Sequence, residues 1–204
     1  RRSQRTAWVK GSWCSRRTRR GAAIRGCSVL TQSMATYPGS VLTIDLDAIA
    51  ANWQSLDARI GDAECGAVVK ANGYGLGQDE VSKALVGVGC RTFFVATLDE
   101  GIRLRGAIGP EHRIYVFNSL HGRETAVDFD AHKLSPVLNT REDIEFWSGY
   151  AQNGGRSNTV IEIDTGMNRL GLSPPEAEKI AEDAGLLAPL SLDFVMSHLA
   201  CADE

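Results

Sequence analysis

After residue 40 the chain alternates between short apolar runs and longer segments in which apolar residues recur every three or four positions. The short runs favour strands, and the longer segments have the spacing of amphipathic helices. The predicted strands are Val41–Asp45, Gly66–Lys70, Thr92–Ala96, Arg113–Phe117, Lys133–Leu138, Thr159–Asp164 and Leu192–Ser197. Strands that alternate with helices predict βα units, a parallel sheet and right-handed connections.

Several helix starts are marked by a hydroxyl residue followed three positions later by an acid, which is the pattern of a capping box. Such pairs begin at Thr97, Thr140 and Ser173, and prolines directly follow Ser173, where a helix tolerates them. Asp47 is predicted to cap the first helix. A weaker helix is predicted near Arg123–Phe129.

Counted from the strand that ends at Lys70, the pattern contains six strands of barrel type. A closed (β/α)8 barrel needs eight, so the fold class is predicted to be α/β, a TIM-like barrel with about six of its eight units. The domain prediction is an N-terminal extension over residues 1–40 and a partial barrel over residues 41–204. Exposed sheet edges would need a partner.

The overall charge of −3 conceals an asymmetry. Residues 1–33 contain nine basic and no acidic side chains, whereas the rest contains thirteen basic and twenty-five acidic ones, a net charge of −12. The acidic body argues against nucleic-acid binding, which needs clustered basic side chains. Residues 1–33 are predicted to be disordered, and three origins stay open: an upstream reading that precedes a true start at Met34, a transit peptide, or a basic binding arm.

The five cysteines show neither a CxxC pair nor the Cys/His spacing of a metal site, and no apolar run is long enough to span a membrane. No metal is expected. No signal peptide is visible, so the predicted location is the cytoplasm.

The strongest chemical signal lies in Gly66–Gly77. A short apolar run ends at Lys70, and glycines at three of the next seven positions allow a tight turn. Because side chains alternate along a strand, Val68 and Lys70 are predicted to share the face that points into the barrel. An amine walled by Val and Ala is partly desolvated, which favours its neutral, nucleophilic form and reaction with an aldehyde. The alternative is that Lys70 ends its strand in solvent.

The run Val-Val-Lys-Ala-Asn-Gly-Tyr-Gly-Leu-Gly resembles the lysine signature of the alanine racemase family, which uses pyridoxal 5'-phosphate. The resemblance implies that Lys70 is the catalytic residue and holds the cofactor through an imine. It also implies that Tyr74 reaches the cofactor phosphate. Leu76 stands where many members of the family have histidine, outside the chemistry.

A second motif, Asp-Thr-Gly-Met-Asn-Arg-Leu-Gly, follows the fifth of the six barrel strands and is similar to another segment of the same family. The resemblance implies that Arg169 binds the phenolic oxygen of the cofactor and contacts the substrate. Family members often carry a carbamylated lysine two residues before this aspartate, and Glu162 occupies that place here. Without the resemblance, the segment also fits a loop whose Asp and Asn bond their own backbone and whose arginine forms a surface ion pair.

His198 follows the last predicted strand, where a lone histidine is commonly a structural residue. The resemblance implies that it packs against the cofactor ring without transferring a proton. Asp203 and Glu204 are expected to open a further helix.

The resemblance covers most of the chain from about residue 41 and implies racemisation of L- and D-alanine, for the supply of peptidoglycan precursors. It implies a homodimer in which a tyrosine from the C-terminal domain of the partner supplies the second proton carrier. Since that domain is not in this sequence, the 204-residue chain is expected to be inactive alone. The alternatives are a non-catalytic protein that binds pyridoxal phosphate, another racemase or decarboxylase of the same fold, and a binding module that uses the basic arm.

Overall fold

The structure is a computed structural model that describes residues 6–7, 41–118 and 123–201. Strand β1, Thr6–Ala7, pairs in parallel with β2, Glu64–Cys65. Apart from β1, the predicted extension over residues 1–40 lies outside the described residues, as do Asp203 and Glu204.

The remaining strands of the described residues form one parallel sheet in which sequence order equals spatial order. They are β3 (Ala67–Val68), β4 (Thr92–Val95), β5 (Arg113–Val116), β6 (Ser135–Leu138), β7 (Asn158–Glu162) and β8 (Ser191–Met196). The helices are α1 (Leu46–Asp57), α2 (Lys70–Tyr74), α3 (Gln78–Gly87), α4 (Leu98–Ile108), α5 (Arg123–Ala131), α6 (Arg141–Gln152), α7 (Pro174–Glu182) and α8 (Ala184–Leu187). A sheet of six parallel strands with intervening helices confirms the predicted fold class.

The two faces of the sheet bury different side chains. One face packs against the helices, with Phe93 and Val95 among its fully buried residues. The opposite face has its own cluster, in which Phe94 and Tyr115 stack with ring centroids 5.0 Å apart. Because neighbouring residues of β4 point to opposite faces, both faces must be covered, as in the wall of a barrel.

Two predictions near the start of the domain were wrong. Val41–Asp45 is not a strand, and Val41 and Leu42 are 79% and 77% exposed. Asp45, not Asp47, caps α1, since its carboxylate accepts a hydrogen bond from the amide of Ala48 at 2.9 Å. Strand propensity depends on a pairing partner, and none is provided for this segment by the described residues.

The capping boxes at Thr140 and Ser173 are confirmed, with Asp143 and Glu176 as their acids. At Thr97 the hydroxyl accepts from the amide of Glu100 at 3.3 Å, as predicted, but the carboxylate of Glu100 bonds elsewhere. Among the described helices, none has the length and hydropathy needed to cross a membrane.

Candidate active site

Polar and aromatic residues follow the carboxyl ends of the parallel strands. Lys70 lies just after β3, Phe117 after β5, Asn139 after β6, Asp164 after β7 and His198 after β8. Barrel enzymes carry their chemistry at this end of the sheet. The fold therefore places the predicted lysine, arginine and histidine motifs at one edge.

Lys70 does not continue the strand as predicted. Strand β3 ends at Val68, Val69 is 2% exposed, and Lys70 begins a turn. The next three residues, Ala71, Asn72 and Gly73, have left-handed dihedral angles, with φ of 52°, 56° and 64°. The predicted strand was therefore too long at its end. The predicted face is kept, because Val68 and Phe117, over whose ring the amine of Lys70 lies, pack against the cluster on the same side of the sheet.

This left-handed turn is costly, since each non-glycine residue in it costs about 1–2 kcal/mol. The turn is held by backbone bonds, such as that from the amide of Gly77 to the carbonyl oxygen of Asn72 at 2.9 Å. The side chain of Asn72 also accepts a bond from the amide of Gln78 at 3.1 Å. Strain of this kind, fixed by its surroundings, is concentrated at functional sites.

The amine of Lys70 lies over an aromatic ring. Its Nζ atom is 5.6 Å from the centroid of Phe117, within the range of a cation–π interaction. The side chain is half-buried, so it is neither fully enclosed in the core nor fully solvated. The alternative in which Lys70 simply ends a strand in solvent does not fit this environment.

The arginine motif forms a closed loop after β7. The amide of Asp164 donates to the carbonyl oxygen of Leu172 at 2.8 Å, and the amide of Leu172 donates to that of Glu162 at 2.9 Å. Inside the loop, the Asp164 carboxylate accepts from the amides of Gly166 and Asn168, and these bonds lower its pKa. The loop thus carries the exposed Arg169, and its two ends are fixed to each other beside the end of β7.

Glu162 connects the lysine and the arginine electrostatically. Its side chain is 6% exposed, and burial raises the pKa of the carboxyl. Arg169 and Lys70 act in the opposite direction and favour the charged form, whereas Asp164 disfavours it. A buried carboxylate that interacts with both cations places the three groups in one charge cluster.

The end of β8 is tied to the arginine loop. The hydroxyls of Thr165 and Ser197 are 2.5 Å apart, and the partly buried His198 is the next residue. Tyr74 lies at the end of the lysine turn and is 47% exposed. The roles assigned to Lys70, Tyr74, Arg169 and His198 stay predictions.

Sequence reasoning missed several residues of this region. The Asn139 side chain donates to the carbonyl oxygen of Phe117 at 2.8 Å and so joins the ends of β5 and β6. Gln78 and Glu100 bond to the backbone around Lys70. The acid of the Thr97 capping box was visible in the sequence, but its contact with the lysine turn was not.

These features define a barrel-type α/β protein with a lysine-centred site at the carboxyl ends of its strands. The chain belongs to the alanine racemase family, since residues 44–204 match the family model "Alanine racemase, N-terminal domain". The predicted family is thereby confirmed.

Curated relatives agree with this assignment. A catabolic alanine racemase of Mesorhizobium japonicum is 45% identical over 168 residues, which are 81% of this chain and 44% of the relative. The corresponding protein of Agrobacterium fabrum is 47% identical over 165 residues, 80% of this chain and 42% of the relative. The chain thus spans less than half the length of these relatives.

Among solved structures, the alanine racemase of Bartonella henselae with covalently bound pyridoxal phosphate superimposes with a TM-score of 0.73 at 34% identity. The match covers 78% of this chain and 46% of that one. The described sheet therefore corresponds to part of a barrel known from experiment.

Proposed function

We propose that this chain is the lysine-bearing barrel portion of a pyridoxal-phosphate-dependent alanine racemase, which interconverts L- and D-alanine. The observation that carries the proposal is the charge cluster of Lys70, Glu162 and Arg169 at the carboxyl ends of parallel strands. The relatives named alanine racemase and the cofactor bound in the Bartonella henselae structure support it.

The residues present fit such a cofactor. Attachment of the aldehyde group of this cofactor requires an accessible amine. The half-buried Lys70 would provide one from the start of a fixed turn. An anionic ring oxygen requires a cationic donor, which Arg169 would supply from the closed loop. Tyr74 would contact the phosphate, and His198 would pack against the ring. When bound, pyridoxal phosphate supplies an electron sink for the negative charge that forms when the substrate loses its α-proton.

The amino acids of the chain would then have separate tasks. Lys70, once displaced by the substrate amine, would take up or return the α-proton on one face. Arg169 would orient the substrate, and Glu162 would counter the charge of the arginine. Racemisation needs a second proton carrier on the opposite face, which we propose comes from a partner subunit in a homodimer. The product D-alanine suits the supply of peptidoglycan precursors.

Borohydride trapping tests the attachment point. The chain is mixed with pyridoxal phosphate, reduced with borohydride and mapped by peptide mass spectrometry. The label is expected at Lys70 at cofactor concentrations that leave the exposed Lys83 unlabelled. Equal labelling of the two lysines would remove the basis of the proposal.

The reaction is tested in a protein that carries this sequence at the full length of its relatives. Turnover of L-alanine to D-alanine is expected, with loss on Lys70→Ala. Release of carbon dioxide without change of configuration would instead indicate a decarboxylase of the same fold. Cofactor binding without turnover would favour a non-catalytic binding protein.

We also propose a cytoplasmic location. Among the described residues Cys65, Cys90 and the exposed Cys201 are free, and a reducing compartment keeps thiols in this state.

A further inference from the structure

We propose that Glu100 and Gln78 are positioning residues that fix the two peptide groups on either side of Lys70. The importance of this for cofactor attachment rests on the proposed function. The hydrogen bonds themselves are features of the fold, so the two ideas can fail separately.

Glu100 holds the peptide that follows the lysine. One carboxylate oxygen accepts from the amide of Ala71 at 2.7 Å, and the other accepts from the amide of Ala96 at 2.8 Å. The second bond is local to the start of α4, but the first reaches a segment 29 positions earlier in the chain. A carboxylate with bonds to two amides is a charge-assisted anchor, stronger than a neutral hydrogen bond.

The capping box of α6 shows what such an acid does when it has no second task. The Asp143 carboxylate accepts from the amides of Asn139 and Thr140, both at 3.2 Å and both within four residues. Asn139 precedes Asp143 by the same interval as Ala96 precedes Glu100. Glu100 therefore bonds to the distant Ala71 where Asp143 bonds to the amide of its own N-cap residue, and this contact is not part of ordinary helix capping.

Gln78 holds the peptide that precedes the lysine. Its side chain is 1% exposed, and its Nε2 atom donates to the carbonyl oxygen of Val69 at 3.3 Å. Its Oε1 atom accepts from Nε of Arg103 at 3.2 Å. Arg103 and Glu100 both belong to α4, so one helix restrains both peptides that meet at the Cα atom of Lys70.

This arrangement addresses a physical problem of the site. The lysine is followed by a left-handed turn that is intrinsically unfavourable, so the backbone would relax if it were not held. Relaxation would rotate the Cα–Cβ bond of Lys70 and move its amine. Displacements of about 1 Å at a reacting group can cost about a hundredfold in rate, so the restraint has chemical value.

The test compares the variants Glu100→Gln and Gln78→Met with the control Asp143→Asn in the 204-residue chain. Three quantities are measured: the pyridoxal phosphate concentration that gives half-maximal borohydride trapping at Lys70, the hydrogen exchange of the Ala71 amide, and urea unfolding. Glu100→Gln and Gln78→Met are expected to raise the half-saturating concentration about three- to tenfold, because one anchoring bond is lost. Asp143→Asn should destabilise the fold but leave trapping unchanged.

Exchange of the Ala71 amide distinguishes positioning from general stability. It should be slow in the parent chain and in Asp143→Asn, and faster in Glu100→Gln. Trapping in Glu100→Gln and Gln78→Met that matches the control would overturn the inference and leave the proposed function intact. If the parent chain does not trap cofactor at Lys70, the proposed function fails, and the exchange data still test the anchor. An Ala71 amide that exchanges in the parent chain like an unstructured peptide would refute the anchor without any variant.

Discussion

Gly171 closes the loop that presents Arg169, and we predict that Gly171→Ala is strongly destabilising. The residue has a φ of +98°, which side chains rarely adopt, and an added Cβ atom would lie 2.8 Å from the amide nitrogen of Asp164 and 3.0 Å from the carbonyl carbon of Ile163. Both are backbone atoms within the hydrogen-bonded closure of the loop, so they cannot move aside. Backbone strain costs about 1–3 kcal/mol, and overpacking costs a similar amount.

The matched control is Gly154→Ala, which has a φ of +89° and no heavy atom within 4 Å of the added Cβ atom. It isolates the cost of the dihedral angle, so the difference between the two variants measures the steric clash. We expect Gly171→Ala to reduce the free energy of unfolding in urea by about 1–3 kcal/mol more than Gly154→Ala does. Equal losses in the two variants would show that the loop yields, and that its closure does not fix Arg169.

Three further predictions concern buried groups. Arg105→Met should lower the free energy of unfolding by about 2–4 kcal/mol, because the buried guanidinium donates to four backbone carbonyl oxygens, whereas Arg91→Met at an exposed position should change it by less than about 0.5 kcal/mol. Burial raises the pKa of Glu162, so folding favours its protonated form. The free energy of unfolding of the parent, relative to that of Glu162→Gln, should therefore fall as the pH rises from about 4.3 through the raised pKa. Urea unfolding of both proteins across this range measures the difference, and a constant difference would contradict the reasoning. The Cys90 thiol is 1% exposed with a pKa raised to about 12, so alkylation followed by mass spectrometry should label the exposed Cys201 much faster, and equal rates would argue against the described burial.

The elements of the fold were predictable where local chemistry decides them. The capping boxes at Thr140 and Ser173 lie where the sequence placed them, because a cap and its helix are neighbours in the chain. Val41–Asp45 is apolar like the segments that do form strands, but it is not a strand. A strand also depends on a pairing partner, which the local sequence does not reveal. Strand pairing depends on tertiary structure, so a short apolar run does not by itself predict whether it will be paired.

The candidate site was predictable in its motifs but not in its geometry. The glycines after Lys70 correctly indicated a turn, yet Ala71 and Asn72 also adopt left-handed angles, which their residue types alone do not predict. Glu100 was interpreted as an ordinary capping acid, because the sequence shows the helix start but not the segment that packs against it. The raised pKa of Glu162 depends on burial that outweighs the opposing effects of Arg169 and Lys70, so it too emerges only in the fold.

The two halves of the site are held by different sets of hydrogen bonds, so we expect that one half can loosen without the other. The lysine turn is anchored to α4 through Glu100 and Gln78, whereas the arginine loop is closed by its own backbone and tied to β8 through Thr165 and Ser197. The hydrogen bonds just named for one half use no residue of the other, and Glu162 links the two through its charge. Gly171→Ala should therefore speed hydrogen exchange at the loop amides without changing exchange at Ala71. If both sites loosened together, the site would be a single cooperative unit, and the assignment of separate supports would be wrong.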